Sequence, residues 1–154
     1  MTPFLIWLQH TSVAHTISDS LPFTAVLSAV HLLGLTTVLG SALVSHLRML
    51  GVLFPDRPVA EIAGPTGRAL LGGLAVSVVT GLLLFAPRAE QAMANSTFQL
   101  KMLLLVAAVT VHVLWQRRVV RRVVPGRLLA AVGAAGLGLW LSVALAGCAF
   151  ILVE

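Results

Sequence analysis

The sequence predicts an all-α membrane protein, a bundle of four transmembrane helices preceded by an N-terminal amphipathic helix at the membrane interface. Hydrophobic residues make up 58% of the 154 residues and charged residues only 10%, whereas soluble domains carry roughly a quarter charged residues. Four apolar segments lie at about 21–47, 69–86, 98–115 and 128–153. Each approaches or exceeds the roughly 20 residues that cross about 30 Å of hydrocarbon. We therefore expect a single membrane domain, residues 1–154, with little chain outside the bilayer.

The N-terminal segment, about residues 3–18, is too short and too polar to span a bilayer. Its apolar residues are interspersed with Gln, His, Thr and Ser, a pattern typical of a helix lying in the interface with Trp7 at headgroup depth. An unstructured tail is the alternative. The segment lacks the basic start of a secretory signal, so we expect it to be retained in the mature chain.

Three breaks rich in proline, glycine and charge separate the four spans, and such residues stop helices. We place them at 54–68, 86–97 and 116–127. Ser20 is a candidate N-cap for the first span, and Asn95 or Ser96 for the third. The basic third break could also continue the third helix as an amphipathic extension on anionic lipid.

The positive charge predicts orientation and not nucleic-acid binding, because it flanks the apolar segments. Eight of the ten Lys and Arg residues lie between the first and second spans or in the third break: Arg48, Arg57, Arg68, Arg117, Arg118, Arg121, Arg122 and Arg127. The positive-inside rule then predicts a multi-pass protein of the bacterial inner membrane with both termini periplasmic. We expect the lipid bilayer, and no nucleic acid, among its partners.

Small residues predict close helix packing. The fourth span has a face with four-residue spacing, and the second span a shorter one. The members are Ala130, Ala134, Gly138, Ser142 and Ala146, and Gly73, Ser77 and Gly81. Such faces let backbones approach closely in lipid. The partner could lie in the same chain, in a second copy or in another subunit, so a homo- or hetero-oligomer is expected.

The sequence lacks the residues that most enzymes and transporters use in their active sites. All five carboxylates lie at span ends or in breaks, so no buried relay is visible. No nucleophile triad, phosphate loop or HExxH motif occurs, and Cys148 is the only cysteine. We expect an electron-transfer or accessory subunit more than a stand-alone enzyme, although the sequence leaves an enzymatic role open.

Histidines within the spans are the residues best suited to hold a cofactor. His46 precedes Arg48 by two residues and His112 precedes Arg117 by five, so the two imidazoles should differ in depth by only about 4 to 5 Å. Two imidazoles at one depth on different helices could be the axial ligands of a b-type haem. Copper is a weaker alternative because the methionines form no cluster. Hydrogen bonding to a neighbouring helix is the non-cofactor alternative for each histidine.

A second haem, about 22 Å away along the first span, would use His31. His15 is its best placed partner, with His10 and Met102 behind it. Arg48 could hold a haem propionate, a lipid phosphate or a quinone-like acceptor through its planar guanidinium. Lys101, just inside the third span, is expected to extend toward the interface.

Short motifs along most of the chain resemble those of a family of small bacterial four-helix membrane proteins of uncharacterised function. The motifs are AVHLLGL, GSAL, LRMLG and FQLKMLLL. Matching positions are Ser20, His31, Gly34, Gly40, Arg48, Gly51, Phe98 and Lys101. The resemblance implies a four-helix inner-membrane protein and singles out His31, without implying an activity. The histidines are more loosely similar to those of membrane b-type cytochromes and CopD-like copper-resistance proteins, and His46 and His112 lie outside the family pattern.

The function expected from these observations is a membrane-embedded b-type haem subunit with bis-histidine ligation, carrying one or two haems. It would pass electrons between a periplasmic redox protein and quinone or another haem. A haem-free accessory subunit of a larger complex is the alternative. Permeation of a metal or small solute through an oligomer is favoured least.

Overall fold

The computed structural model describes residues 3–121 and 124–153, with side chains for 3–119 and 124–149. Four long helices form the bundle: α3 (Leu21–Met49), α4 (Val59–Phe85), α6 (Ser96–Arg121) and α7 (Gly126–Val153). All four are long and apolar enough to cross a membrane, and the described residues include no strand. Each helix packs against the next in sequence, and α7 returns to α3. This confirms the predicted all-α four-helix bundle, in up-down-up-down order.

Two short helices, α1 (Pro3–Gln9) and α2 (Ser12–Asp19), replace the single helix predicted for 3–18. Thr11 causes the break, because its hydroxyl donates to the Leu8 carbonyl and accepts from the Ala14 amide at the start of α2. Both helices pack on the connection after α4, which contains a short 3₁₀ turn and α5 (Ala89–Ala94). These elements form one end of the bundle, which we call the termini end.

The opposite end carries the loop 50–58 and the connection between α6 and α7, and we call it the arginine end. Gly51 ends α3 with φ of +77°, a conformation that glycine adopts without steric cost. The Gly51 and Val52 amides bond the carbonyls of Arg48 and Leu47 at 3.1 and 3.0 Å. This is a Schellman motif, and it explains why the helix stops there.

The helix of the second span extends ten residues further toward the arginine end than the apolar segment at 69–86. α4 already begins at Val59 and contains Pro65. Pro65 cannot donate a backbone bond to the Glu61 carbonyl, and side chains add bonds to the two carbonyls that follow. The Thr66 hydroxyl donates to the Ile62 carbonyl at 2.7 Å, and Gln116 of α6 donates to the Ala63 carbonyl at 2.5 Å.

The third span is also longer than predicted, because α6 continues from Ser96 through Arg121. Asn95 caps its start, with Oδ1 accepting from the Thr97 amide at 2.8 Å, as predicted. Ser20 precedes α3 but makes no side-chain capping bond. Near the far end of α6, the Arg118 guanidinium lies 5.2 Å from the Trp115 ring, and Arg122 lies outside the described residues.

Glycines allow α3 to pack closely against both of its neighbours. A Cβ on Gly73 of α4 would lie 2.8 Å from the Gly34 carbonyl oxygen, and one on Gly133 of α7 would lie 2.9 Å from the Met49 Cβ. The predicted small face of α4 therefore packs inside the chain. On α7 the packed face includes Gly133, whereas Gly138 of the predicted face is exposed, with open space where a Cβ would be.

Candidate functional site

The two histidines nearest the arginine end, His46 of α3 and His112 of α6, lie beside each other inside the bundle. Their ring centroids are 6.2 Å apart, with the ring planes inclined by 54°. Only 3% of His46 and 5% of His112 is exposed. Because α3 and α6 are diagonal to each other across the bundle, the two imidazoles meet in its interior.

The free nitrogen of His46 points at a glycine on α7. Its Nδ1 lies 2.6 Å from the Ala42 carbonyl oxygen, and a carbonyl can only accept, so Nδ1 carries the hydrogen and Nε2 keeps a lone pair. A Cβ on Gly136 would overlap Nε2 and Cδ2 of the ring. Gly136 thus leaves the space that the imidazole needs, and the backbone bond fixes which nitrogen can bind a ligand.

Three buried polar atoms around the histidine pair have no hydrogen-bond partner among the described residues: His112 Nε2, Trp140 Nε1 and Ser45 Oγ. The Trp140 ring meets the His112 ring edge-on, with centroids 6.3 Å apart. Buried polar atoms in folded proteins nearly always have a partner. A bound group in contact with His112 would supply one for its free nitrogen.

The donor set suits a haem better than a bare metal ion. Within the part of the chain that the structure describes, no third His, Cys, Asp or Glu joins the pair to complete a metal site. Zinc and copper sites take three or four protein ligands, whereas haem iron takes its four equatorial ligands from the porphyrin and needs only axial ones from the protein. Two imidazoles from facing helices therefore match what a haem requires.

The other predicted ligands lie apart from this pair. His31 of α3 bonds Thr80 of α4, with Nδ1 2.9 Å from Oγ1. His15 is exposed at the termini end, where its ring lies 6.2 Å from that of His10. His31 lies ten residues, or about 15 Å, from the start of α3 at Leu21. No bond or ring contact joins it to His15 in the described structure, and Met102 is 41% exposed.

Arg48 bonds the protein's own backbone. Its Nε donates to the Arg57 carbonyl at 2.8 Å, and its Nη2 lies within reach of the Pro55 and Arg57 carbonyls. These bonds tie the end of α3 to the loop 50–58. In the described structure the guanidinium therefore stabilises this loop. From the sequence we expected it to bind a propionate, a lipid phosphate or a quinone-like acceptor.

Three residues of this interior were not singled out from the sequence: Gly136, Trp140 and Thr80. Gly136 and Trp140 share one face of α7, four residues apart, but the regular small-residue spacing on the neighbouring face is the stronger pattern. Buried tryptophans usually find a partner for the indole N–H, so a tryptophan in mid-span is a signal that could have pointed to Trp140. Thr80 carries no comparable signal.

Comparison with known proteins gives one match. Residues 6–152 match a family described as "Family of unknown function (DUF6644)". This agrees with the resemblance of the motifs to an uncharacterised family, and it carries no link to b-type cytochromes or CopD-like proteins. No curated protein and no solved structure matches the chain.

Proposed function

The chain belongs to the DUF6644 family of unknown function, and we propose that it is a membrane-embedded electron-transfer subunit that holds one b-type haem. His46 and His112 would be the axial ligands. The observation that carries the proposal is the pair itself: two buried imidazoles 6.2 Å apart, on diagonal helices, with the Nε2 of His112 unpartnered. Bundles commonly build cofactor sites from inward side chains on facing helices.

The bound haem would supply one-electron oxidation and reduction, which no protein side chain here supplies. The chain's own residues would hold and tune it. The hydrogen bond from His46 Nδ1 to the Ala42 carbonyl orients the ring and makes Nε2 a stronger ligand. Trp140 and the surrounding apolar side chains would exclude water, and a low dielectric favours the less charged form of a redox centre.

The distribution of arginines supports the proposed orientation in the bacterial inner membrane. Arg117 and Arg118 at the arginine end of α6 and Arg57 in the loop 50–58 would face the cytoplasm. The termini end, with α1 and α2, would then be periplasmic. Phe4 and Trp7 on α1 are 62% and 63% exposed, as expected of a helix that rests on lipid. A periplasmic redox protein or quinone would exchange electrons with the subunit.

A haem-free accessory subunit is the second candidate, and one observation favours it. Ala134 and Gly138 form part of a small-residue face on α7 that is exposed, with nothing near the position of a Gly138 Cβ. Such faces allow close contact with a helix of another subunit or a second copy. This candidate gives no account of the buried histidine pair.

The test of the proposed function is a reduced-minus-oxidised visible spectrum of the protein purified in mild detergent, with haem plentiful during expression. A pyridine haemochrome assay gives the stoichiometry. We expect a low-spin b-type spectrum and one haem per chain, because His46 and His112 are the buried histidines that lie beside each other in the described structure. Two haems per chain would require a second ligand for His31. A colourless protein would contradict the proposal and favour the accessory subunit.

Gly136→Ala should lower haem content to less than about half that of the wild type, because a 1 Å displacement of a ligand is enough to disable a site. The added Cβ overlaps the His46 ring, so the imidazole must turn away. Gly138→Ala is the matched control, since it adds the same methyl group two residues later into open space. Haem-to-protein ratios measured on both variants check the prediction, and equal ratios would contradict it.

A further inference from the structure

A second polar cluster lies in the half of the bundle nearer the termini end, away from the histidine pair. It contains His31 of α3, Ser77 and Thr80 of α4, and Lys101 of α6. Lys101 lies against Gly147 of α7, where a Cβ would be 3.7 Å from the lysine Cε. The cluster thus draws its side chains from α3, α4 and α6, and the proposed haem site uses none of them.

The hydrogen bonds determine which nitrogen of His31 is free. The Thr80 hydroxyl donates to the Val76 carbonyl at 2.7 Å, so its oxygen has only lone pairs to offer the histidine. His31 Nδ1, 2.9 Å away, must then donate. The opposite ring nitrogen, Nε2, keeps a lone pair and can accept a hydrogen bond from a ligand.

Lys101 is a half-buried cation without a counter-ion. No hydrogen bond and no carboxylate partner of Lys101 is found among the described residues, and the Arg57–Glu61 ion pair lies on the surface. Lys101 is close enough to His31 to interact with it electrostatically. An ionisable side chain inside a membrane is costly and is usually retained for function. The Lys101 side chain lies against α7 at Gly147.

Ser77 gives this cluster a buried hydroxyl that faces α3 at Gly34. It is 5% exposed, and its hydroxyl has no hydrogen-bond partner among the described residues. A Cβ on Gly34, one turn along α3 from His31, would lie 2.5 Å from this hydroxyl. The cluster thus combines an ammonium donor, an imidazole acceptor and a hydroxyl that can do either.

We propose that this cluster binds the headgroup of a lipid-soluble quinol, with one hydroxyl donating to His31 Nε2 and an oxygen accepting from Lys101. The depth favours a quinol over a lipid phosphate, because Lys101 and Thr80 lie about 8 Å inside their helix ends. His31 Nε2 also favours a ligand that donates a hydrogen bond to it. A fully ionised phosphate has no hydrogen to donate. The proposal rests on the proposed electron-transfer function, to which it adds a binding site for the quinol.

Binding is tested by calorimetric titration of the full chain in detergent with decylubiquinol, kept reduced under anaerobic conditions, after subtraction of a titration into empty micelles. Lys101→Met and His31→Leu should each weaken binding about tenfold or more, because each removes a hydrogen bond with a buried polar or charged group. Ser77→Ala should weaken it severalfold. Arg118→Met, on the same helix, and His15→Leu are matched controls that should bind as the wild type does.

The oxidised form, decylubiquinone, should bind more weakly than the quinol, because it has no hydroxyl to donate to His31 Nε2. Equal affinity of the wild type, Lys101→Met and Ser77→Ala would overturn the proposal, as would a titration indistinguishable from empty micelles. Inorganic phosphate or phosphatidylglycerol binding that depends on Lys101, without quinol binding, would overturn it in favour of an anion site. Because the calorimetry does not use haem absorbance, a colourless protein that binds quinol would contradict only the haem proposal.

Discussion

Replacing His112 by leucine should abolish the low-spin haem spectrum and lower the haem content well below one per chain. Of the two histidines, His112 is the one whose buried Nε2 has no partner. Leucine removes this ligand and puts an apolar side chain of related size in its place. A five-coordinate haem held by His46 alone would be high-spin and weakly retained. The reduced-minus-oxidised spectrum and the pyridine haemochrome assay measure both effects.

The substitution should not unfold the bundle, because it removes a buried polar atom that has no partner in the described structure and leaves an apolar side chain. Thermal unfolding of the wild type and the variant in the same detergent provides the check. His15→Leu is the matched control: it removes an exposed imidazole outside the site and should keep the full spectrum. Retention of a low-spin spectrum by His112→Leu would eliminate His112 as a ligand.

The similar depth of His46 and His112 could be inferred from the sequence because charged residues mark the membrane interface. Arg48 and Arg117 mark the same interface, and counting residues from it puts the two imidazoles at one level. The rotation of each helix about its axis has no such marker. The contact of Gly136 with the His46 ring depends on that rotation for α7, and the sequence therefore did not reveal it.

The same distinction explains why the partner of the small-residue face on the fourth helix could not be predicted. Four-residue spacing correctly identifies a face made of small residues, but not the surface that the face meets. Gly133 and Gly136 are spaced by three and pack against α3, whereas Ala134 and Gly138 stay exposed. On α4 the predicted face does pack inside the chain, since Gly73 meets α3. Packing partners are decided by the whole bundle, because the apolar drive that sorts helices in water is lacking in lipid.

Gly73→Val should destabilise the bundle by about 3 kcal/mol, the upper end of the cost of overpacking a core. The new Cβ would lie 2.8 Å from the Gly34 carbonyl oxygen and 2.9 Å from the Thr37 Cβ. Neither atom is the mobile tip of a side chain, so α3 and α4 must separate along this contact. The midpoint of unfolding in a titration with a denaturing detergent reports the change.

Gly72→Val is the control that isolates this contact, because it adds the same side chain to the adjacent residue of the same helix. Nothing lies within 4 Å of a Cβ at Gly72, and helix propensity changes equally in both variants. The difference between the two therefore measures the approach of α3 to α4. Separation of these helices would also displace Ser77 from Gly34 and Thr80 from His31, so Gly73→Val should lose quinol binding together with stability. Equal stability of the two variants would show that the Gly34–Gly73 contact does not hold the helices together.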